Sequence, residues 1–407
     1  LPHFLIIMHA IDHSAVSDLF KRHFNFRPAF VTRAPATVEL LGGLAESNEG
    51  LAMTVAADRY AFVAASPRTD GRIELVHADR APETFWITDP RDSAAAPWAD
   101  PFKAVLRELH QRKVHFSGFS AALHNEIPEG LGLGEAAAGA VAAALMVRKL
   151  FPFGLGETGA TEPPKRDSMG AVPPLAPPER LHFARVCGAA LTVAGQDDDG
   201  FVPSISALAG RAWKVLHLDC RFNSLELSPF AGTAVILCDS GVRRPDSLVM
   251  DTEVLDCCAA AARRLSVRSL RSLEAKTLRA SKAKLDQREF ECAMHVVGEI
   301  QRVAGAERAL REDDHRQMGG FLTLSHESLR ENLRASCPEL DLLVELACAQ
   351  TGCHGARALG PGHGGATVNL VSYHEAEPFL ANMARAYEQK TGRKLKPVVC
   401  QIVDGAE

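Results

Sequence analysis

The stretch "IPEGLGLGEAAAGAVAAALMV", residues 127–147, decides the fold. Gly130, Gly132 and Gly134 free the backbone to wrap an anion, and an alanine-rich segment of high helix propensity follows at once. A helix start presents unpaired N–H groups and the positive end of the peptide dipole, the complement of a phosphate group. The residues at the mouth of this helix are Glu135 and Ala136, so a negative charge stands where a phosphate would sit. Two readings follow. The loop is either a cradle that still accepts an anion, or one that Glu135 has closed by satisfying the dipole itself.

Working outward, the chain has 407 residues, 46% of them hydrophobic and 23% charged, which suits a globular protein large enough for two cores. A net charge of −5 gives no general basic surface, so nucleic acid is not an expected partner. No apolar run reaches the roughly 18–20 residues of a membrane span, so no membrane partner is expected either. The opening "LPHFLIIMHA" has a short apolar core and no basic leader, which does not read as a signal peptide. Met8 could be the natural start, leaving residues 1–7 as an over-extended reading frame. The ten cysteines form no C-x-x-C pair, and they read as buried, reduced thiols of a cytoplasmic protein without structural zinc.

The first 120 residues alternate like strands, as in "RYAFVAASPR" (59–68) and "RIELVHAD" (72–79), with "TDG" (69–71) as the turn between them. Helix signals cover 101–113 and 135–150. Residues 152–179 are rich in Pro and Gly without periodicity and read as an exposed, mobile loop. Strands are expected at 211–220, 232–242 and 365–374, with a long helical region over 252–315 whose mixed charges mark a solvated face. This order predicts an α+β fold of layered sheets and helices. The division is expected near residue 210, giving domains 1–210 and 211–407, with an exchange of strands by the termini allowed.

Three separated segments point to one family: "APATVELLGGLAESNEG" (34–50), the loop quoted above, and "GARALGPGHGGATVNLV" (355–371). In order and spacing they resemble the three signature motifs of the GHMP kinases, and among these the galactokinases. The segments "LHLDCR" (216–221), "CDSGVRR" (238–244), "SVRSLRSL" (266–273) and "SHESLRENLRASCPELDLLVELA" (325–347) are similar to galactokinases specifically. The resemblance covers about residues 28–404. It implies the GHMP-kinase fold, two α/β domains with ATP and a sugar meeting in the cleft between them. It also implies that the loops 127–150 and 355–371 face that cleft together.

The departures from the family pattern carry the functional expectation. Members transfer the γ-phosphoryl group of ATP to a sugar hydroxyl, using an aspartate at the hydroxyl, a charge-neutralising arginine, and a serine and a glutamate that hold Mg²⁺. The arginine position falls on Thr37 and the aspartate position on Pro203. The sugar-contacting Glu-His pair falls on Gly43 and Leu44, and the following Asp-Tyr pair on Glu46 and Ser47, while Asn48 and Gly50 are retained. The magnesium serine falls on Glu135 and the glutamate on Leu191. Phosphoryl transfer rests on positioning and charge stabilisation, so such losses predict a pseudokinase that senses a ligand or engages a protein partner through its cleft.

The alternative is an active ATP-dependent kinase of a sugar or other small molecule, with rebuilt residues. Asp197, Asp198 and Asp199 would then supply a base or metal ligand, with Glu135 as a second metal ligand. ATP and Mg²⁺ are cofactors under that alternative, and neither is required under the first. The competing reading of 197–199 is a solvated turn ahead of a helix. Gly360, Gly362, Gly364 and Gly365 form the third-motif loop. They either place His363 near a ligand or simply let two backbones approach closely.

Overall fold

A helix, α1 (Ser14–Phe24), precedes two long strands, β1 (Phe30–Leu41) and β2 (Leu51–Pro67), which pair antiparallel. Side chains alternate along β2, as strand geometry requires. Tyr60, Phe62 and Ala64 meet Val16 and Phe20 of α1, while Ala61, Val63 and Ala65 enter the main core on the opposite face. Both faces are therefore covered, which explains why β2 reads as an almost continuous apolar run.

The chain then forms β3 (Arg72–His77), β4 (Arg80–Trp86), α2 (Asp100–Gln111), β5 (Phe119–Asn125) and α3 (Glu135–Leu150). A hairpin, β6 (Gly154–Gly156) and β7 (Gly159–Thr161), leads to α4 (Pro177–Val193), α5 (Phe201–Ala209), β8 (Lys214–Asp219) and β9 (Ser224–Pro229). Seven strands make the first sheet in the order β4–β3–β5–β2–β8–β9, with β1 also on β2. β5 pairs with the later half of β2 and β8 with its beginning. Helix α3 has no polar face along most of its length: Ala137, Ala138 and the run from Ala140 to Val147 are buried. A helix apolar all round belongs inside, and alanine lets its neighbours approach closely.

The second half comprises β10 (Thr233–Asp239), α6 (Leu248–Arg264), α7 (Ala275–Ala280), α8 (Gln287–Arg311), α9 (His315–Ser328) and α10 (Pro338–Cys348). It closes with β11 (Cys353–Ala358), β12 (Ala366–Ser372), α11 (Ala376–Thr391) and β13 (Lys396–Cys400). Its sheet is antiparallel throughout, in the order β11–β12–β10–β13. Phe379, Met383 and Tyr387 of α11 and Leu343 and Ala347 of α10 fill one face of that sheet. The computed structural model describes residues 12–89, 96–168, 170–195, 200–243, 248–360 and 364–407. Asp197, Asp198, Asp199, Gly362 and His363 lie outside them, as do residues 1–11. Among the described residues no helix is long and apolar enough to cross a membrane.

The α+β expectation holds, and α3 has the bounds that the alanine run predicted. Four expectations need correction. Residues 152–179 are no free loop: they contain the β6–β7 hairpin, bury Phe153, Leu155 and Leu175, and already start α4 at Pro177, where a proline suits the first helical turn. The helical region 252–315 is broken, because Ser266 takes φ 54° after α6 and the N–H of Val267 closes back on Ala262 O at 3.0 Å. Helix α8 restarts only at Asp286, whose carboxylate accepts from Glu289 N while Glu289 reaches back to the Asp286 N–H. The sheets do not divide at residue 210, since β8 and β9 continue the first sheet. After β13 the chain returns to that sheet, where Val403 N donates to Ala56 O and Gly405 N to Gly210 O. Finally, not all thiols are buried: Cys348 is exposed at the end of α10.

Candidate functional site

Segments far apart in sequence converge on the first residue of α3. The backbone N–H of Thr37, on β1, donates to Leu133 O at 2.9 Å, which fastens the glycine loop to the first motif. Gly134 takes φ 63°, and a Cβ built on it would collide with Thr37 Oγ1 and lie 3.3 Å from Pro203 Cβ of α5. Only glycine fits there, because the conformation is left-handed and the space is taken. Thr37 and Pro203 thus both border the space where a side chain on Gly134 would stand, and neither carries a charge or a base. Gly130 and Gly132 are exposed, with φ 74° and 79°. A Cβ on Gly132 would stand 3.3 Å from Leu359 O, beside Gly360, so the second motif lies against the start of the third-motif loop.

The third-motif glycines are structural at their far end. A Cβ on Gly364 would lie 2.6 Å from Val242 O, and Gly365 donates to the same carbonyl at 2.8 Å. Ser240 closes the arrangement by donating both its N–H and its hydroxyl to Gly365 O. The "CDSGV" segment is therefore the floor of this turn.

Glu135 heads α3, and Asn125 Nδ2 donates to its Oε1 at 2.6 Å. Burial raises its carboxyl to about 7, and the nearby Glu129 adds to this, against the lowering effect of the Asn125 bond. Ala136 beside it is half-buried. In the unfolded chain this carboxyl would ionise near the ordinary glutamate value. The folded protein therefore loses stability as pH rises from about 4.5 through about 7. The expected result is that the melting temperature of Glu135→Gln falls less than that of the parent between pH 5 and pH 8. Parallel curves for the two proteins would contradict the raised carboxyl.

The first-motif tail is packed rather than open. Gly43 has no side chain, and a Cβ there would meet Glu39 Oε1 at 3.5 Å. Leu44 holds φ 64°, rare for a leucine, and is buried in a helical cluster with Val254, Cys258 and Ala358. Asn48 is buried and its amide donates to Leu44 O at 3.0 Å, bracing the turn. Glu46 Oε2 accepts the N–H of Phe201 at 3.0 Å, which sets a carboxylate at the start of α5, two residues before Pro203.

Beneath these turns lies a buried ionic cluster that sequence reasoning missed. Arg357, from the third motif, is 1% exposed; its Nη1 donates to Leu40 O at 3.1 Å and lies 3.5 Å from Glu299 Oε1. Glu299, on α8, also accepts from Gly42 N at 3.0 Å, Ser325 Oγ at 2.9 Å and Arg302 Nε at 2.7 Å. Burial would raise its carboxyl, yet Arg302 and Arg357 outweigh that and hold it down at about 2. Only the "GAR" letters hinted at this. Nothing in the sequence of α8 marks Glu299.

These residues do not suit a magnesium ion held as in the family pattern. The Glu135 carboxyl is bonded to Asn125 and half-protonated near neutrality, and Leu191 is a buried apolar side chain of α4. Among the described residues no three His, Cys, Asp or Glu side chains are grouped to hold a metal.

Family models match residues 18–67 (galactokinase galactose-binding signature), 101–161 (GHMP kinases N terminal domain) and 306–389 (GHMP kinases C terminal). The chain is 31% identical over 404 residues to the galactokinase of Roseiflexus sp. strain RS-1, covering 97% of both chains. It is 30% identical over 398 residues to that of Homo sapiens, covering 95% of this chain and 94% of the relative. The solved structure of Lactococcus lactis galactokinase complexed with galactose superposes with a TM-score of 0.86 at 21% identity, covering 97% and 99%. The solved structure of L. major mevalonate kinase in complex with R-mevalonate shares the fold at greater distance, with a TM-score of 0.59 at 15% identity, covering 93% and 98%.

Proposed function

Since this chain belongs to the galactokinase family of the GHMP kinases, we propose that it is a pseudokinase, retaining the family's ligand cleft for sensing or interaction without phosphoryl transfer. The observation that carries this reading is that Thr37 and Pro203 both border Gly134 at the mouth of α3. The resemblance puts a cation and a proton acceptor at two of these positions. A threonine and a proline can serve as neither. Leu44 and Gly43 remove the sugar-contacting pair in the same way, so galactose is a poor candidate ligand, and a nucleotide or another sugar is favoured. A protein partner would read the ligand state of the cleft.

The test is a thermal-shift screen of nucleotides and sugars with and without Mg²⁺, run beside an assay of ADP release. The expected result is a ligand that raises the melting temperature while ADP release stays at background. Steady turnover with any sugar and ATP would refute the proposal.

One observation favours the second reading, an ATP-dependent kinase with rebuilt residues: Glu46 sets a carboxylate at the start of α5, beside the vacated position. Glu135 separates the two. A carboxylate next to a bound phosphate costs on the order of 1 kcal/mol at a partly exposed site, so Glu135→Ser should bind nucleotide about five- to tenfold more tightly by calorimetry. If the parent instead binds Mg-ATP more tightly than the serine variant, Glu135 is a metal ligand and the rebuilt kinase becomes the better reading.

A further inference from the structure

Helix α3 begins at the glycine loop, and its last turn lines a cavity. This cavity has a volume of about 470 Å³, within the range of small-molecule sites. Its walls are the end of α3, residues 172–175, the start of α4, and the returning chain at 404–407. Four cationic side chains line it: Arg148, Lys149, Arg180 and Arg211.

Their partners are unevenly supplied. Arg148 is almost wholly buried and is bound to Pro173 O at 2.7 Å and Glu179 Oε2 at 3.5 Å, yet its Nε has no partner. Arg211 donates to Gly210 O at 3.1 Å, a carbonyl and not a carboxylate. Lys149 and Arg180 make no hydrogen bond or ion pair among the described residues. Both are pushed down from their ordinary values, chiefly by burial, and the charge of Arg211 adds to the effect on Arg180. Of the two acids of the wall, Glu407 pairs with Arg33 at 3.2 Å and also attracts Lys149, and Asp404 accepts from Ala212 N at 3.3 Å.

Four partly desolvated cations against two wall carboxylates leave an excess of positive charge that an entering anion would relieve. Two guanidinium groups and an ammonium lining one cavity offer donors to the several oxygens of a tetrahedral anion. Leu145, Leu175 and Leu208 complete the lining and give it an apolar side. We propose that this cavity binds a small organic phosphate monoester, its dianion held by Lys149, Arg180 and Arg211 and its carbon skeleton set against the three leucines. The site is separate from the cleft and does not depend on whether phosphoryl transfer survives there.

The test is calorimetry on the full chain at constant ionic strength, with inorganic phosphate and glycerol 3-phosphate as probes. Saturable binding is expected for both, tighter for glycerol 3-phosphate. Lys149→Gln and Arg180→Gln should each weaken it at least tenfold. Without ligand, Arg180→Gln should melt at or above the parent temperature, because it removes an unpaired charge, while losing the rise in melting temperature that glycerol 3-phosphate gives the parent. Absence of saturable binding in the parent overturns the proposal. So does undiminished binding in both variants, which would place the anion elsewhere, for instance at the glycine loop.

Discussion

Incubated with galactose, ATP and Mg²⁺, the protein should release ADP at a rate at least about four powers of ten below that of an active galactokinase. The magnitude comes from two separate losses. A positioned base contributes about 10²–10⁴-fold, and a group stabilising charge in the transition state about 10²–10³-fold. Pro203 and Thr37 stand at the positions to which the resemblance assigns those roles, and both border the same glycine, Gly134. Restoring one group leaves the other missing, so neither Thr37→Arg nor Pro203→Asp alone should recover turnover. Pro203→Asp should fold normally. Position 203 lies in the first turn of α5, where an N–H has no helical partner in any case and an acid suits the dipole. ADP release coupled to a reporter enzyme measures the effect, and galactose-dependent turnover within a hundredfold of an active galactokinase would sink the pseudokinase reading.

Glu299→Gln should destabilise the fold by about 3 kcal/mol or more, because it leaves the buried Arg357 and the half-buried Arg302 without this anion. The same substitution weakens the acceptor of Gly42 N and Ser325 Oγ, so the first-motif turn loses its anchor on α8. The pH dependence has a fixed sign. The Glu299 carboxyl sits at about 2 in the folded protein, below its unfolded value of 4.5. Its contribution is therefore complete above about pH 4.5 and is lost as pH falls toward 2. Urea unfolding at pH 7 checks the magnitude, and acid unfolding of parent against variant checks the sign. A cost below about 1 kcal/mol would mean that Glu39, 3.6 Å from Arg357, compensates for the lost partner.

Much of the fold was legible because its signals are local. The alanine run after Gly134 gave the bounds of α3, and the alternation over 59–68 gave the body of β2. Local signals failed where burial is decided from a distance. Residues 152–179 look like a free loop in composition, yet Phe153, Leu155 and Leu175 are drawn into the core between α3 and α4. The break after α6 depends on the conformation of a single serine, which no propensity marks.

By itself the sequence pointed to the family, because glycine spacing and residue identity are written in the chain. Under that resemblance Thr37, Pro203, Gly43 and Leu44 fall on positions whose expected chemistry they cannot supply, which is the basis of the proposed pseudokinase. Only the tertiary structure decided that Thr37 and Pro203 meet at one glycine, that Leu44 and Asn48 are committed to packing, and that Glu135 is held by Asn125. It alone brought Arg357 to Glu299, 58 residues away in sequence, and Lys149 to Arg180 and Arg211 around one cavity. The physical reason is common to all of these. A side chain's charge state and partners depend on what surrounds it in space, and burial, the largest influence on Glu135 and Glu299 alike, is a property of the assembled layers.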